Sequence, residues 1–149
     1  MRAVVQRVSE AQVTIDAGVV GKIGRGLLVY AAAAPDDGEA DVRYVADKVA
    51  QLRVFPDDAG KMNLDVRQAG GGVLLVSAFT AHADTRKGRR PSFDTSASGD
   101  VAAPLIERLG ELIREHEIET QTGRFAAYMQ VASVNDGPIC VLLDSRRLF

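Results

Sequence analysis

Sulfur, histidine and aromatic side chains are scarce in this chain. Its 149 residues include one cysteine, two histidines, no tryptophan and an aromatic share of 5%. A lone Cys140 cannot close an internal disulfide, and one cysteine with two histidines cannot complete a four-ligand zinc site. No metal and no other cofactor is expected. Long apolar runs are also missing: none approaches the roughly 18 residues that suggest a membrane span. Met1-Arg2-Ala3-Val4-Val5 lacks the layout of a signal peptide, so a cytoplasmic protein without a membrane partner is expected. Neither sign of charge dominates, with 18 Lys and Arg against 20 Asp and Glu, a net charge of −2. That excludes a broad phosphate-binding surface and confines any nucleic-acid contact to a local patch.

What is present is the profile of one ordinary globular domain, 46% hydrophobic and 26% charged. No repeat, low-complexity tract or linker divides residues 1–149. Short β-rich runs open the chain: 3–8, 12–15 and 19–23, the last two separated by Asp16-Ala17-Gly18, predict an antiparallel meander. Leu27-Leu28-Val29-Tyr30-Ala31 is continuously apolar and predicts a strand buried on both faces. Val42, Val45, Ala46, Val49 and Leu52 follow at spacings of three and four, which predicts an amphipathic helix over 38–51. Strand returns at 52–55 and, after Gly70-Gly71-Gly72, at 73–79. A second helix is expected to open at Pro104, where proline suits the first turn, with Leu105, Leu109, Leu112, Ile113 and His116 as its inner stripe. Strands at 125–134 and 139–143 close the chain. The expected fold class is α+β: a mainly antiparallel, barrel-like sheet with two principal helices packed on one side.

Four segments can carry chemistry. Ser77-Ala78-Phe79-Thr80-Ala81-His82 ends a buried strand, and alternation puts Thr80 and His82 on one face if the strand continues. Thr80 as nucleophile with His82 as base is one reading; a strand end whose hydroxyl bonds its own backbone is the other. Arg86-Lys87-Gly88-Arg89-Arg90 is the densest positive cluster, suited to phosphate or else a solvated loop. Asn135-Asp136-Gly137-Pro138 reads as a turn between two β runs. Its Gly-Pro bond is either an ordinary turn bond or a cis bond that sets the directions of the flanking carbonyls. Cys140 follows Ile139 in an apolar run and is expected to be a small buried hydrophobe rather than a thiol nucleophile; His116 is expected to be structural.

Taken in order, these segments resemble the D-aminoacyl-tRNA deacylase family over essentially the whole chain. Residues 1–8, Gly60 to Leu64, Ala83 to Phe93, Thr122 to Phe125 and Met129 to Val131 all match its pattern. Most specific are Ser77 to Ala81, where Ser-Gln-Phe-Thr-Leu is usual, and the Asn-x-Gly-Pro motif at Asn135 to Pro138. The chain departs from the pattern at Ala78, Ala81, His82 and Cys140.

The resemblance implies ester hydrolysis of D-aminoacyl-tRNA, and of glycyl-tRNA, by a homodimer. It implies that Gly137 and cis Pro138 of one subunit reach the active site of the other, braced by Arg7, and reject L-amino acids by steric clash. It further implies that Ser77, Ala78, Phe79 and Thr80 surround the scissile ester and that Phe125 and Met129 hold the terminal adenosine. Arg86, Lys87, Arg89 and Arg90 would then meet tRNA phosphates. Other readings stay open: a non-catalytic tRNA-binding module, a small-molecule esterase using Thr80 or Cys140, or a structural dimerisation domain.

Overall fold

The computed structural model describes residues 1–149. In chain order it contains β1 (Arg2–Ile15), β2 (Gly18–Ile23), β3 (Gly26–Ala32), α1 (Glu39–Gln51), β4 (Phe55–Pro56), β5 (Met62–Leu64), β6 (Gly72–Ser77), a 3-10 turn (Phe79–His82), α2 (Gly99–Glu115), β7 (Thr120–Thr122) and β8 (Gln130–Asp144). No helix is long and apolar enough to cross a membrane.

The long strand β1 is the axis of a six-stranded sheet. β8 runs antiparallel along one edge of it, while β3 and then β2 share the other edge. The sheet continues with two parallel joints, β3 to β6 and β6 to β7, and β2 lies against β6 and β7, so it curls almost closed. Parallel neighbours need crossover connections, and α1 and α2 supply them. Because crossovers share one hand and β3, β6 and β7 run the same way, both helices land on the same face. The α+β class, the two helices and the barrel-like sheet hold; the sheet is mixed, antiparallel around β1 and parallel beyond β3.

Alternation along the strands divides the apolar residues between two cores. Leu27, Val29 and Ala31 of β3 and Val73 and Leu75 of β6 face the helices, where they meet Val42, Val45 and Val49 of α1 and Leu109 and Ile113 of α2. Leu28, Leu74 and Val76 face inward to the concave side, with Tyr30, Met129 and Val131 packed nearby. Burial of both faces, complete except at Tyr30, explains why residues 27–31 read as continuously apolar. β1 serves both cores: Ala3 and Val5 face the helices, whereas Val8, Ala11 and Val13 face inward. That change of parity requires an extra residue, and the pairing with β8 shifts register between Val8 and Glu10. The expected gap between two short strands at residues 9–11 is this bulge within one strand.

Helix α1 begins as expected, with the Asp41 carboxylate accepting from the Gly38 N–H at 3.0 Å. Helix α2 begins five residues before Pro104. Ser98 is its N-cap, and Ala102 N–H donates to Ser98 C=O at 2.8 Å. Pro104 is exposed inside the second turn, where it forfeits one intrahelical bond that the burial of Ala102, Ile106, Leu109, Leu112 and Ile113 offsets. The expected strand over 125–134 is also corrected: residues 125–127 turn, with Ala126 at φ 59°, and β8 starts at Gln130. The expected strand at 52–55 shrinks to β4, and strand 73–79 ends at Ser77.

The parallel joint of β3 and β6 starts with Gly26 beside Gly72. A Cβ on Gly26 would lie 1.9 Å from the Gly72 carbonyl oxygen, an impossible contact with backbone on both sides. A Cβ on Gly24, two residues away, would meet nothing within 4 Å. Gly26→Ala is expected to destabilise the fold by about 3 kcal/mol or more, with Gly24→Ala within about 0.5 kcal/mol of the parent. Urea denaturation of the two variants measures the difference, and equal midpoints would contradict the packing described.

Candidate active site

The C-terminal ends of β3 and β6, two neighbouring parallel strands, open into a cavity of about 720 Å³. This is the crevice where strands of such sheets present freed backbone groups. Its floor is small: Ala31 and Ala32 end β3, Ala33 follows it, Ala97 precedes α2, and Gly99 and Ala102 lie in the first turn of α2. Ser77, Ala78, Phe79 and Thr80 form one wall, and Phe125, Tyr128 and Met129, from the segment before β8, form another. Six residues named from the sequence, Ser77 to Thr80 with Phe125 and Met129, thus line one space. Sequence reasoning missed the alanines, Tyr30 and Tyr128. The run Ala31-Ala32-Ala33-Ala34 was the available sign, since small side chains after a buried strand leave volume. Burial raises the Tyr30 phenol above its ordinary pKa and keeps it a neutral donor.

The second wall is shaped by Gly123 and Gly99. A Cβ on Gly123 would come within 2.6 Å of the Met129 sulfur, and one on Gly99 within 3.7 Å of the Phe125 ring. Both side chains therefore rest on glycine. The first wall is a backbone device. Ala78 N–H donates to Ala31 C=O at 2.8 Å, fastening the strand end, and Ala81 N–H donates to Ala78 C=O at 3.0 Å, starting the 3-10 turn. The N–H groups of Phe79 and Thr80 precede the first bond of that turn, as the leading donors of any helix do. Thr80 itself is exposed to solvent.

Gly137 and Pro138 are not walls of this cavity. Between Cys140, opposite Gln6, and Asn135, opposite Val8, β8 carries four residues where β1 carries one, Arg7. The expected turn between two strands is thus a wide bulge inside β8, and the Gly137–Pro138 bond in it is cis. Asn135 Nδ2 closes its neck, donating to Arg7 C=O and Ile139 C=O, both at 2.9 Å. Arg7 Nε lies 3.0 Å from an Asp136 carboxylate oxygen but off line for a hydrogen bond, so that contact is Coulombic. The firm bond of Arg7 runs from Nη1 to Val54 C=O at 2.5 Å. Gly137 has φ 123°, and a Cβ there would lie 2.6 Å from Ile139 Cγ1 and 3.2 Å from Arg7 Nη2. Cys140, expected to be buried, is exposed, because the outer side of β8 is uncovered.

The basic loop lies outside the cavity and is closed by paired backbone bonds between Asp84 and Ser92 at 2.8 and 2.9 Å. Arg86 grips Asp84 through Nε at 2.9 Å and Nη2 at 2.6 Å, which drives that carboxyl far below the usual carboxylate range. The Arg86 fork is therefore occupied, while Lys87, Arg89 and Arg90 have no acidic partner. No three His, Cys, Asp or Glu side chains converge as a metal site would require. His116 caps α2 and meets Asp47 of α1 at 2.9 Å, a structural role.

His82 does not share a face with Thr80. The turn carries it inward to 6% exposure, with Nε2 unpartnered and no hydrogen bond to Thr80, which removes it as a base for that hydroxyl. Desolvation chiefly, then the charges of Arg2 and the Met1 α-ammonium, lower its pKa against opposing contributions from Asp37 and the Ala32 backbone. A folded pKa below the unfolded value of about 6.5 means that stability is fully present above that pH and declines as pH falls below it. Chemical denaturation from pH 7.5 to 5 is expected to show that decline in the parent and a flatter profile in His82→Phe; superimposable profiles would contradict it.

Comparison with known proteins places this geometry in a family. The sequence profile of the D-Tyr-tRNA(Tyr) deacylase family matches residues 4–144. The chain is similar to the D-aminoacyl-tRNA deacylases of Anaeromyxobacter dehalogenans (strain 2CP-C), 55% identical over 149 residues, and of Thermotoga petrophila, 52% identical over 149 residues, covering 100% of each chain in both cases. Among solved structures it resembles the c-Myc DNA Unwinding Element Binding Protein, with TM-score 0.91 and 34% identity, covering 97% of this chain and 98% of that one. A probable eukaryotic D-amino acid tRNA deacylase shares the fold, with TM-score 0.82 at 16% identity over 96% of this chain and 98% of that one. A profile spanning nearly every element, and relatives above half identity from end to end, make this chain a hydrolase of the D-Tyr-tRNA(Tyr) deacylase family.

Proposed function

We propose that the protein hydrolyses the ester joining a D-amino acid, or glycine, to the terminal ribose of tRNA, and so removes wrongly charged amino acids during translation in the cytoplasm. The observation that carries the reading is the cavity at the ends of β3 and β6, which Phe79 and Thr80, at the start of the 3-10 turn, line together with Phe125 and Met129. The aromatic and thioether side chains suit the terminal adenine, and an apolar floor suits varied amino-acid side chains. Beyond the cavity, Lys87, Arg89 and Arg90 are free to meet tRNA phosphates, with Arg86 bracing their loop through Asp84.

The ester is already activated, so positioning and charge stabilisation suffice. Thr80 orients a water whose oxygen bonds to the ester carbonyl carbon. The two backbone N–H groups receive the oxyanion, each such donor being worth about 2.7–4 kcal/mol in comparable sites. The C–O ester bond then breaks. The departing ribose oxygen takes a proton through the neighbouring ribose hydroxyl, which is resupplied from the attacking water. Ala78 contributes backbone alone to this scheme.

Chirality is assigned to the bulge of a second copy of the chain. β8 is fifteen residues long and pairs with β1 only, leaving its other edge free with Val134 and Leu142 exposed. A strand edge of that length invites a partner. Pairing through this face carries Gly137 and Pro138 away from their own cavity and toward the partner's. Their carbonyls accept from the substrate α-ammonium and leave no volume on the side where an L side chain projects. Exclusion by clash is a stronger filter than apolar preference, which yields only about 1–3 kcal/mol per methylene.

Incubation of D-tyrosyl-tRNA and L-tyrosyl-tRNA with the purified protein and a chelator tests the reading. Rapid decay of the D ester alone is expected; no decay of either beyond the buffer rate sinks it. Gly137→Ala places a methyl against Ile139 and Arg7 in a strained conformation costing roughly 1–3 kcal/mol. The D over L preference is expected to fall about tenfold or more, while sedimentation still reports a folded dimer. An unchanged preference would remove the bulge from substrate selection.

A further inference from the structure

We infer that Ser96 is a positioning residue that aims the Thr80 N–H at the oxyanion. This rests on the deacylase reading above and assigns a role to a residue outside the motif at Ser77 to Ala81.

A trans peptide unit is planar, with its C=O and N–H pointing in opposite directions. The carbonyl of Phe79 and the N–H of Thr80 belong to one such unit. Ser96 Oγ donates to Phe79 C=O at 2.8 Å. Fixing that carbonyl fixes the direction of the Thr80 N–H on the opposite edge of the peptide plane, the group to which the proposed mechanism assigns the oxyanion. The bond also polarises the peptide, since a carbonyl that accepts a hydrogen bond makes its attached N–H a stronger donor. The preceding unit is held in the same manner by the chain itself, through Ala81 N–H to Ala78 C=O. The Phe79 carbonyl also accepts within the 3-10 turn, and Ser96 adds a second bond to it from a distant side chain.

The support for Ser96 is rigid. Ser96 N–H closes a turn onto Phe93 C=O at 2.9 Å, and Ala97 N–H donates to Ala33 C=O at 2.8 Å just beyond β3. The same turn sets the Phe93 ring edge-on to the Phe79 ring, centroids 5.0 Å apart. Its Thr95 hydroxyl donates to His82 C=O at 2.7 Å, so the 3-10 turn is gripped at both ends from one segment. Ser96 does not line the cavity, whereas Phe79 and Thr80 do, which separates positioning from binding.

Single-turnover deacylation of D-tyrosyl-tRNA by Ser96→Thr and Ser96→Val provides the test, because the two replacements share a shape and differ in one hydroxyl. Ser96→Val is expected to lose about 2- to 12-fold in the chemical step, the value of one ordinary hydrogen bond. KM and urea midpoint should match those of Ser96→Thr, which keeps the parent rate. The Thr80 amide proton should move upfield in the Val variant alone. Equal rates in the two variants of an active parent overturn this assignment, as does a loss confined to KM. An inactive parent overturns instead the reading on which it rests.

Discussion

The antiparallel pairing of β1 with β8 is the constraint on which the rest of the structure depends. It runs nearly the full length of both strands and is interrupted twice. The first interruption, between Val8 and Glu10, changes which face of β1 is buried, so that one strand supplies apolar residues to two cores. The second expels four residues opposite Arg7 and holds them there with Asn135. A regular ladder would forbid both outcomes, since a strict period of two keeps each side chain on its assigned face.

From this axis the position of the cavity follows. β3 takes half of the free edge of β1, β6 joins β3 in parallel, and the helical crossovers leave one end of that pair open. Backbone groups freed at the ends of the two strands meet α2 and the loop before β8, and small residues keep the space unfilled. Gly26 matters at the opposite end of the same joint, where any Cβ on it would run into the Gly72 backbone. In the proposed mechanism the oxyanion donors are main-chain groups, so alanine at position 78 leaves them in place.

Much of the fold was legible because burial leaves periodic marks. Residues 38–51 carried the period of a helix, and residues 27–31 the unbroken apolarity of a strand covered on both faces. Boundaries were less legible. Pro104 suggested a helix start, yet Ser98 caps α2, since a proline near the N-terminus costs less than the buried stripe contributes. Asp136-Gly137-Pro138 suggested a turn because short-range turn chemistry cannot distinguish a hairpin from a bulge whose flanks pair with the same neighbouring strand. At the site, the motif of residues 77–80 and the pair Phe125 and Met129 stood out through family likeness. Ser96 did not, because a serine bonding one distant carbonyl has no local pattern.

By itself the sequence determined the α+β class and the apolar faces of both helices, which depend on residue type and spacing within a few turns of chain, and its motifs marked the family and, through that likeness, the segments that meet at the cavity. Tertiary structure decided where His82 and Cys140 reside, that Arg86 is occupied by Asp84, and that residues 135–139 bulge from a continuous strand. Those outcomes depend on which distant surface covers a side chain and which backbone group faces it. A local sequence carries no record of its neighbours across the sheet, so they emerge only when the strands have paired.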